Sequence, residues 1–123
     1  MNLNQMDEFQ DEVGKLLVRN RNILDILTKI QSSCARISRS AIKSATGCGC
    51  IEIEGKKNFQ NLSSMGGGID GNLCEDCRSI IETEIGEMLF YMASLCNVFK
   101  ISVNDITENE IKRIKALGKY SLR

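Results

Sequence analysis

The stretch 74-CEDCRSIIETEIGEMLFY-91 contains the features that decide the fold. Its apolar residues recur every three or four positions, which predicts one long amphipathic helix over residues 74–99. Cys74 and Cys77 form a Cys-x-x-Cys pair where this helix begins, and Glu84 and Glu87 follow farther along it. The stretch therefore raises two questions: whether the thiols bind a metal, and whether the carboxylates form an active site.

The rest of the chain also has helical spacing, and it contains no proline to interrupt it. The apolar pattern predicts helix over residues 5–45, with a break near Asn20, where the sequence reads RNRN. A last helix is predicted over residues 103–117, between an N-cap at Ser102 and a C-cap at Gly118. The two helical regions are therefore expected to be long.

A cysteine-bounded loop is predicted over residues 46–73, between the helical regions. Ile51 and Ile53 alternate with charged residues, as in a short strand. Five of the ten glycines fall within residues 55–72, which favours a mobile loop there. We therefore expect residues 1–123 to form a single all-α domain, a bundle of long antiparallel helices with this loop inserted.

Composition argues against several classes of function. Sixteen basic and sixteen acidic residues cancel, so no net charge attracts nucleic acid or an anionic membrane. Histidine is absent, which excludes hydrolases that use a Ser-His or Cys-His pair. No apolar run is long enough to span a membrane, and the acidic N-terminus lacks the pattern of a signal peptide. We therefore expect a cytoplasmic protein with reduced thiols.

Four of the six cysteines form two close pairs, Cys48-x-Cys50 and Cys74-x-x-Cys77. Two thiol pairs on either side of a glycine-rich loop match the ligands of a structural, tetrahedral zinc site, which has no open position for a substrate. Disulfide bonds, or thiols packed as small apolar side chains, are the alternatives. A thioredoxin-like role is disfavoured because no strand-helix-strand pattern surrounds the pair. The other two cysteines are predicted to be core residues: Cys34 and Cys96.

Charge is unevenly divided along the neutral chain. Residues 19–45 carry six basic residues and one acidic residue, and residues 70–90 carry the reverse. Three of the basic residues recur at helical steps: Arg36, Arg39 and Lys43. They are predicted either to pair with Glu84 and Glu87 or to bind phosphate. The balanced opposite charges of the two segments favour the ion pairs.

The segment TEIGEMLFYMASLCNVFKISVNDI, followed by EIKRIKALGKY, resembles the second half of MazG-type all-α nucleoside triphosphate pyrophosphatases. Glu84 and Glu87 match the Glu-x-x-Asp element of that family, with Glu87 in place of the aspartate. Lys119 and Tyr120 resemble its terminal basic-aromatic pair. The resemblance implies a MazG-like helical bundle, Mg²⁺ bound by these two carboxylates, and catalytic roles for Glu84 and Glu87 in cleaving a nucleoside triphosphate.

The first half of the chain departs from that family in one respect. An earlier helix of the family carries Glu-Glu-x-x-Glu, but the corresponding stretch here, KIQSSCARISRSAIKSAT, contains no acid. Arg36, Arg39 and Lys43 stand where acids are expected, and cations there repel a metal and attract phosphate. We therefore expect a divergent, non-catalytic member with a structural zinc site, acting in oligomeric interaction or in binding a nucleotide or other small ligand.

Three other readings of the sequence remain open. An active pyrophosphohydrolase would use Glu84 and Glu87 together with acids from the N-terminal segment DEFQDE of a neighbouring subunit. A nucleic-acid binder would add the loop lysines Lys56 and Lys57 to the basic helix, although few aromatic residues remain for base stacking. A redox sensor would cross-link Cys50 to one cysteine of the other pair. A homo-oligomer is expected because the apolar stripes exceed what one small bundle covers.

Overall fold

The computed structural model describes residues 4–16, 22–54 and 67–121. These residues are mostly helical, which agrees with the all-α prediction, whereas the antiparallel bundle stays a prediction. The helices are α1 (Asn4–Leu16), α2 (Ile23–Lys43), α3 (Glu75–Phe99) and α4 (Val103–Ser121). Two short strands, β1 (Ile51–Ile53) and β2 (Ile69–Gly71), lie between α2 and α3. Among the described residues, no helix combines the length and apolar character that crossing a membrane requires.

The chain divides into two compact units. The first comprises Met1–Ile30 and Leu89–Arg123, and the second comprises Gln31–Met88. Helices α2 and α3 each contribute to both units. The expectation of a single domain over residues 1–123 stays a prediction. The loop lysines Lys56 and Lys57, and the side chains of Lys119 and Tyr120, lie outside the described part of the chain.

The described part of the long N-terminal helical region contains two helices, α1 and α2, and the break predicted near Asn20 falls outside the described residues. Residues 17–21 lie outside the described ranges, and α2 begins immediately after Asn22. The side-chain oxygen of Asn22 accepts a hydrogen bond of 2.8 Å from the backbone N–H of Leu24. The Asn22 carbonyl accepts further bonds from the N–H groups of Asp25 and Ile26. Asn22 therefore acts as the N-cap that fixes the start of α2.

The described parts of the segment between α2 and α3 are more regular than the sequence predicted. The predicted strand at Ile51–Ile53 is confirmed, and it pairs antiparallel with Ile69–Gly71, so that Ile51 lies opposite Gly71. Glu54 N–H also donates to the Gly68 carbonyl at 2.7 Å. The prediction of loop up to residue 72 is therefore wrong for β2. Strand β2 has only three residues and lies in a glycine-rich segment, so its sequence is too short to show the alternating apolar pattern that identifies a strand.

The ends of α4 illustrate the two capping predictions. Ser102 is confirmed as the N-cap, because its Oγ accepts a hydrogen bond of 3.1 Å from Asp105 N–H. The C-cap predicted at Gly118 is wrong, since α4 continues through it to Ser121. Gly118 has no positive φ. A glycine inside a helix is tolerated at a cost of about 1 kcal/mol, so a lone glycine does not end a helix by itself.

The core of the first unit is built around small side chains on α3. The buried residues of this unit are Val13, Ile26, Ala93, Ser94 and Cys96, of which the last three are small residues of α3. The predicted burial of Cys96 is confirmed, and burial raises the pKa of its thiol. Small side chains let neighbouring backbones approach closely, which explains why this face is buried although larger residues flank it.

The predicted apolar stripes are only partly buried. On the first-unit part of α3, Met92 is 49% exposed and Phe99 is 58% exposed. Cys34, predicted to be a core residue, is exposed on the second-unit part of α2. Regular spacing identifies an apolar face but not what covers it, which is why spacing alone predicts these residues to be buried.

A polar contact joins α1 to the corner between α3 and α4 within the first unit. Gln10 Nε2 donates to Asn97 Oδ1 at 2.9 Å and to the Ile101 carbonyl at 2.8 Å. Its Oε1 accepts from Val103 N–H at 2.8 Å. Asn97 Nδ2 returns a bond to the Gln10 carbonyl at 3.2 Å. One glutamine therefore satisfies backbone groups at the end of one helix and the start of the next.

Helix α3 ends in a Schellman motif built on a lysine. Lys100 adopts the left-handed conformation with φ of 59°. Ile101 N–H bonds the Cys96 carbonyl at 3.0 Å, and Lys100 N–H bonds the Asn97 carbonyl at 3.2 Å. These are the two hydrogen bonds of that motif, in which glycine is the usual left-handed residue.

Replacing Lys100 with glycine is therefore expected to stabilise the protein. Lys100→Gly should raise the free energy of unfolding by roughly 0.5–1 kcal/mol, because glycine adopts positive φ without the steric penalty of a side chain. Lys100→Ala removes the same charge but keeps the penalty, so it serves as the control in urea denaturation. An equal gain in both variants would show that the lysine charge, and not the backbone conformation, is the cause.

Candidate metal centre

The four cysteines of the two predicted pairs lie together in the second unit. Their Sγ atoms all lie within 4.8 Å of one another, and the Sγ atoms of Cys48 and Cys74 are 3.8 Å apart. Among the described residues, no other group of three or more Cys, Asp or Glu side chains is arranged to hold a metal ion. The structure thus brings together the thiols that the sequence singled out.

The first pair is positioned by the irregular end of α2. One π-helical turn, Ser44–Cys48, follows the helix, and Gly49 then takes the left-handed conformation with φ of 84°. The N–H of Gly49 closes this turn with a bond of 2.8 Å to the Ser44 carbonyl, while Cys50 Sγ lies 3.7 Å from the same oxygen. The turn therefore reverses the chain between Cys48 and Cys50, so that both thiols reach the cluster.

Strand β2 also supports Cys50 through a glycine. Gly71 has φ of 95°, and a Cβ atom at this position would lie 2.8 Å from the Cys50 carbonyl oxygen. Any side chain here would displace the backbone that carries Cys50. Both the left-handed conformation and this close approach require glycine.

The second pair uses the N-terminus of α3. Cys74 directly precedes the helix, and the backbone N–H of Cys77 donates to Cys74 Sγ at 3.4 Å. The sulfur thus occupies the place of an N-cap oxygen. Hydrogen bonds from the N–H and the thiol of Cys77 lower the pKa of Cys74 to about 7. A thiolate at this position is also favoured by the positive end of the helix dipole.

The pKa values of two neighbouring thiols, those of Cys48 and Cys77, are raised instead of lowered. The hydrogen bond with Cys74 raises the pKa of Cys48. A hydrogen bond with Ser44 lowers the pKa of Cys77, but the nearby thiols and desolvation outweigh it and raise that pKa to about 12. In the metal-free cluster, Cys74 therefore ionises before Cys48 and Cys77. Those two thiols retain their protons until a cation replaces them.

The donor set and its spacing suit zinc. Four sulfurs at about 2.3 Å from a tetrahedral zinc ion would lie about 3.8 Å from one another. The Cys48–Cys74 separation of 3.8 Å equals such an edge, and the other sulfurs lie within 4.8 Å. All six cysteines are free thiols, so no disulfide competes for the cluster. Four thiolates complete the shell of a tetrahedral ion, which is the arrangement of a structural site.

Glu84 and Glu87, two of the five acidic residues of α3, are both bound by Arg36. Its Nε donates to Glu84 Oε1 at 3.0 Å, and its Nη2 donates to Glu87 Oε1 at 3.0 Å. The same Nη2 also bonds Ser33 Oγ at 3.1 Å, and Nη1 lies 3.5 Å from Ser32 Oγ. The predicted ion pair is confirmed for Arg36. The hydrogen bond with Glu84 is also the main reason that the pKa of Arg36 is raised.

This arrangement does not suit Mg²⁺. A magnesium ion requires several oxygen ligands in near-octahedral geometry. Glu84 and Glu87 already share a guanidinium, whose charge would repel a metal ion. The magnesium site and the catalytic roles implied by the family resemblance therefore stay predictions.

The other two basic residues, Arg39 and Lys43, are differently placed. Both are exposed, and within the described part of the chain neither forms an ion pair. They line a cavity of about 470 Å³ in the second unit, together with Cys48, Cys77 and Glu84. The predicted ion pairing of the basic stripe is thus limited to its first residue, and its phosphate-binding role stays a prediction.

Two serines of α2 and one of the π turn have structural roles that the sequence did not reveal. Ser32 and Ser33 contact the guanidinium of Arg36, and the carbonyl of the buried Ser44 closes the π turn. Serines three and four positions before an arginine lie on its face of a helix, which is the signal that could have identified the first two. No sequence signal identifies Ser44, because its role depends on the π turn.

Comparison with known proteins gives no relative of this chain. No family model matches it, and no match is found among curated proteins or solved structures.

Cys74 is expected to react with iodoacetamide before Cys48 and Cys77 in the reduced, metal-free protein. At about pH 7.5 a thiol with a pKa of about 7 is mostly thiolate, and its reactivity should fall about eightfold by about pH 6 as it protonates. Tandem mass spectrometry distinguishes its modification from that of Cys48 and Cys77. Earlier modification of Cys48, which is more exposed, would contradict the assigned order of ionisation.

Proposed function

We propose that this protein is a divergent, non-catalytic member of the MazG-like helical class, whose second unit is stabilised by a structural zinc ion. Cys48, Cys50, Cys74 and Cys77 supply the four thiolates. The protein acts through oligomeric interaction or through binding a small ligand such as a nucleotide. The observation that carries the proposal is the approach of four sulfurs to distances that suit one tetrahedral ion.

The small core of the second unit supports a stabilising role for the metal. Among its described residues, the buried apolar side chain is Ile51, and the other buried side chains are those of Ser33 and Ser44. Burying so little apolar surface contributes little to stability. A metal that joins the end of α2 to the start of α3 would supply the missing free energy, as structural zinc does in other small modules.

The contacts of Arg36 support a non-catalytic role. Its guanidinium neutralises the acidic pair that would otherwise contribute to a metal cluster, and it is itself fixed by Ser32 and Ser33. Cleavage of a triphosphate requires cations to neutralise the phosphates and to activate water. An active enzyme, the alternative function, would need further acids from a neighbouring chain and displacement of Arg36.

The order of the last elements supports the MazG-like assignment. Helix α3 runs through the EIGE segment and its apolar continuation to Phe99, and α4 follows a short turn capped by Ser102. Within the second unit, Arg36 on α2 meets Glu84 and Glu87, whereas the later Cys48 meets the earlier Cys74. This reversed order is the one expected of antiparallel helices.

Exposed apolar side chains support assembly as a homo-oligomer. In the first unit, large apolar residues of α3 and α4 are 41–58% exposed: Leu89, Met92, Val98, Phe99, Ile106, Ile111 and Ile114. Apolar surface of this extent on a small protein is typical of a surface that another chain covers.

A cytoplasmic location would keep the cluster thiols reduced for metal binding.

The metal assignment is tested by removing single ligands. The reduced protein is expected to bind about one zinc ion per chain, and Cys50→Ser or Cys77→Ser should weaken that binding at least about tenfold because a serine hydroxyl is a poor zinc ligand. Cys34→Ser is the matched control, since Cys34 is exposed and outside the cluster. Elemental analysis and a competition titration with a chelating dye give stoichiometry and affinity. Equal zinc binding in all variants would contradict the proposed ligand set.

The non-catalytic assignment is tested with a panel of ribo- and deoxyribonucleoside triphosphates in the presence of Mg²⁺ or Mn²⁺. No release of phosphate or pyrophosphate is expected, because Arg36 occupies the two carboxylates. Glu84→Gln provides the control for contaminating enzymes. Turnover that disappears in Glu84→Gln would contradict the proposal and favour the pyrophosphohydrolase alternative.

A further inference from the structure

The cavity beside the cysteine cluster has the dimensions of a small-molecule site. Its volume of about 470 Å³ falls within the range of roughly 300–1,000 Å³ that is usual for ligand pockets. All of its lining residues belong to the second unit. The cysteine cluster forms part of the wall through Cys48 and Cys77. The cavity therefore does not depend on the contacts of the first unit.

Two cations in this cavity lack a carboxylate partner within the described residues. Arg36, one turn earlier on α2, is fully engaged with Glu84, Glu87 and two serines. Arg39 and Lys43 form no ion pair, although both line the cavity. They are four residues apart, so their Cβ atoms lie roughly 5–6 Å from each other on one face of the helix. Two side chains at that separation can contact a single anionic group.

The remaining wall supplies a different kind of contact. Ile80 lines the same cavity and is 53% exposed, so its apolar surface is available to a ligand. Glu84 also lines the cavity, but its Oε1 is bonded to Arg36, which reduces its repulsion of an anion. The cavity thus combines two free cations with an apolar surface, as ligand pockets commonly do.

We infer that this cavity binds a small organic anion whose charged group lies between Arg39 and Lys43 and whose short apolar part contacts Ile80. Phosphoryl and carboxylate groups share the required chemistry, since both accept charge-assisted hydrogen bonds from arginine and lysine. The inference rests on the small-ligand role of the proposed function, for which it names a site and a class of ligand. Its residues lie outside the zinc ligand set, and it limits the anion-binding role predicted for the basic stripe to Arg39 and Lys43.

Isothermal titration at low ionic strength tests the inference, with phenyl phosphate, inorganic phosphate and benzoate as probes. Phenyl phosphate or benzoate should bind to the zinc-loaded protein, and Arg39→Gln and Lys43→Gln should each weaken that binding about tenfold by removing a charge-assisted hydrogen bond. The stronger of the two probes identifies the anionic group. Ile80→Ser should weaken binding of the aromatic probe but leave inorganic phosphate unchanged. Arg78→Gln is the matched control, because Arg78 is an exposed cation of the same unit outside the cavity.

Two outcomes would overturn the inference. The first is that none of the probes binds to the zinc-loaded protein. The second is that Arg78→Gln weakens binding as much as Arg39→Gln does. If no probe binds and both cation variants also lose zinc, Arg39 and Lys43 neutralise the thiolate centre instead. The zinc content of every sample is measured beforehand, so failure of the metal assignment is distinguished from failure of the anion site.

Discussion

The close approach of four sulfur atoms is the constraint on which the second unit depends. Cys48 and Cys50 precede the glycine-rich segment, and Cys74 and Cys77 follow it, so a bound ion would close that segment at its base. Closing a long loop reduces the conformational entropy of the unfolded chain, and a metal does so without a large apolar core. The left-handed Gly49 and the close contact of Gly71 with Cys50 serve the same end, because both position thiols.

Charge pairing determines which chemistry remains available around that centre. Arg36 binds Glu84 and Glu87 of α3 and two serines of α2, which makes this acidic pair a structural element in the second unit. Arg39 and Lys43, one and two turns further along α2, line the same cavity as Arg36 but have no carboxylate partner among the described residues. The basic stripe therefore divides into one residue held in ion pairs and two whose charges are unpaired. The separation follows from geometry, since among the described residues Glu84 and Glu87 both form their ion pairs with the guanidinium of Arg36.

The sequence predicted those features that depend on local chemistry. The helical regions, the strand at Ile51–Ile53 and the Ser102 cap follow from spacing and capping preferences, and each is present. The clustering of two cysteine pairs followed from the ligand spacing of zinc sites. Features that depend on tertiary contacts were not predictable. They include strand β2 and the exposure of Cys34, because each depends on what lies across from the residue. The left-handed Lys100 is a local feature, but it was not predicted because a Schellman motif usually has glycine at this position.

Zinc K-edge X-ray absorption spectroscopy of the purified, reduced protein tests the central claim most directly. Four sulfur scatterers at about 2.3 Å are expected, with no nitrogen or oxygen in the first shell. That result would place one ion among Cys48, Cys50, Cys74 and Cys77, whose sulfur atoms lie close together in the structure. A first shell of mixed sulfur and oxygen ligands, or protein that folds with reduced thiols and takes up no zinc, would contradict the account.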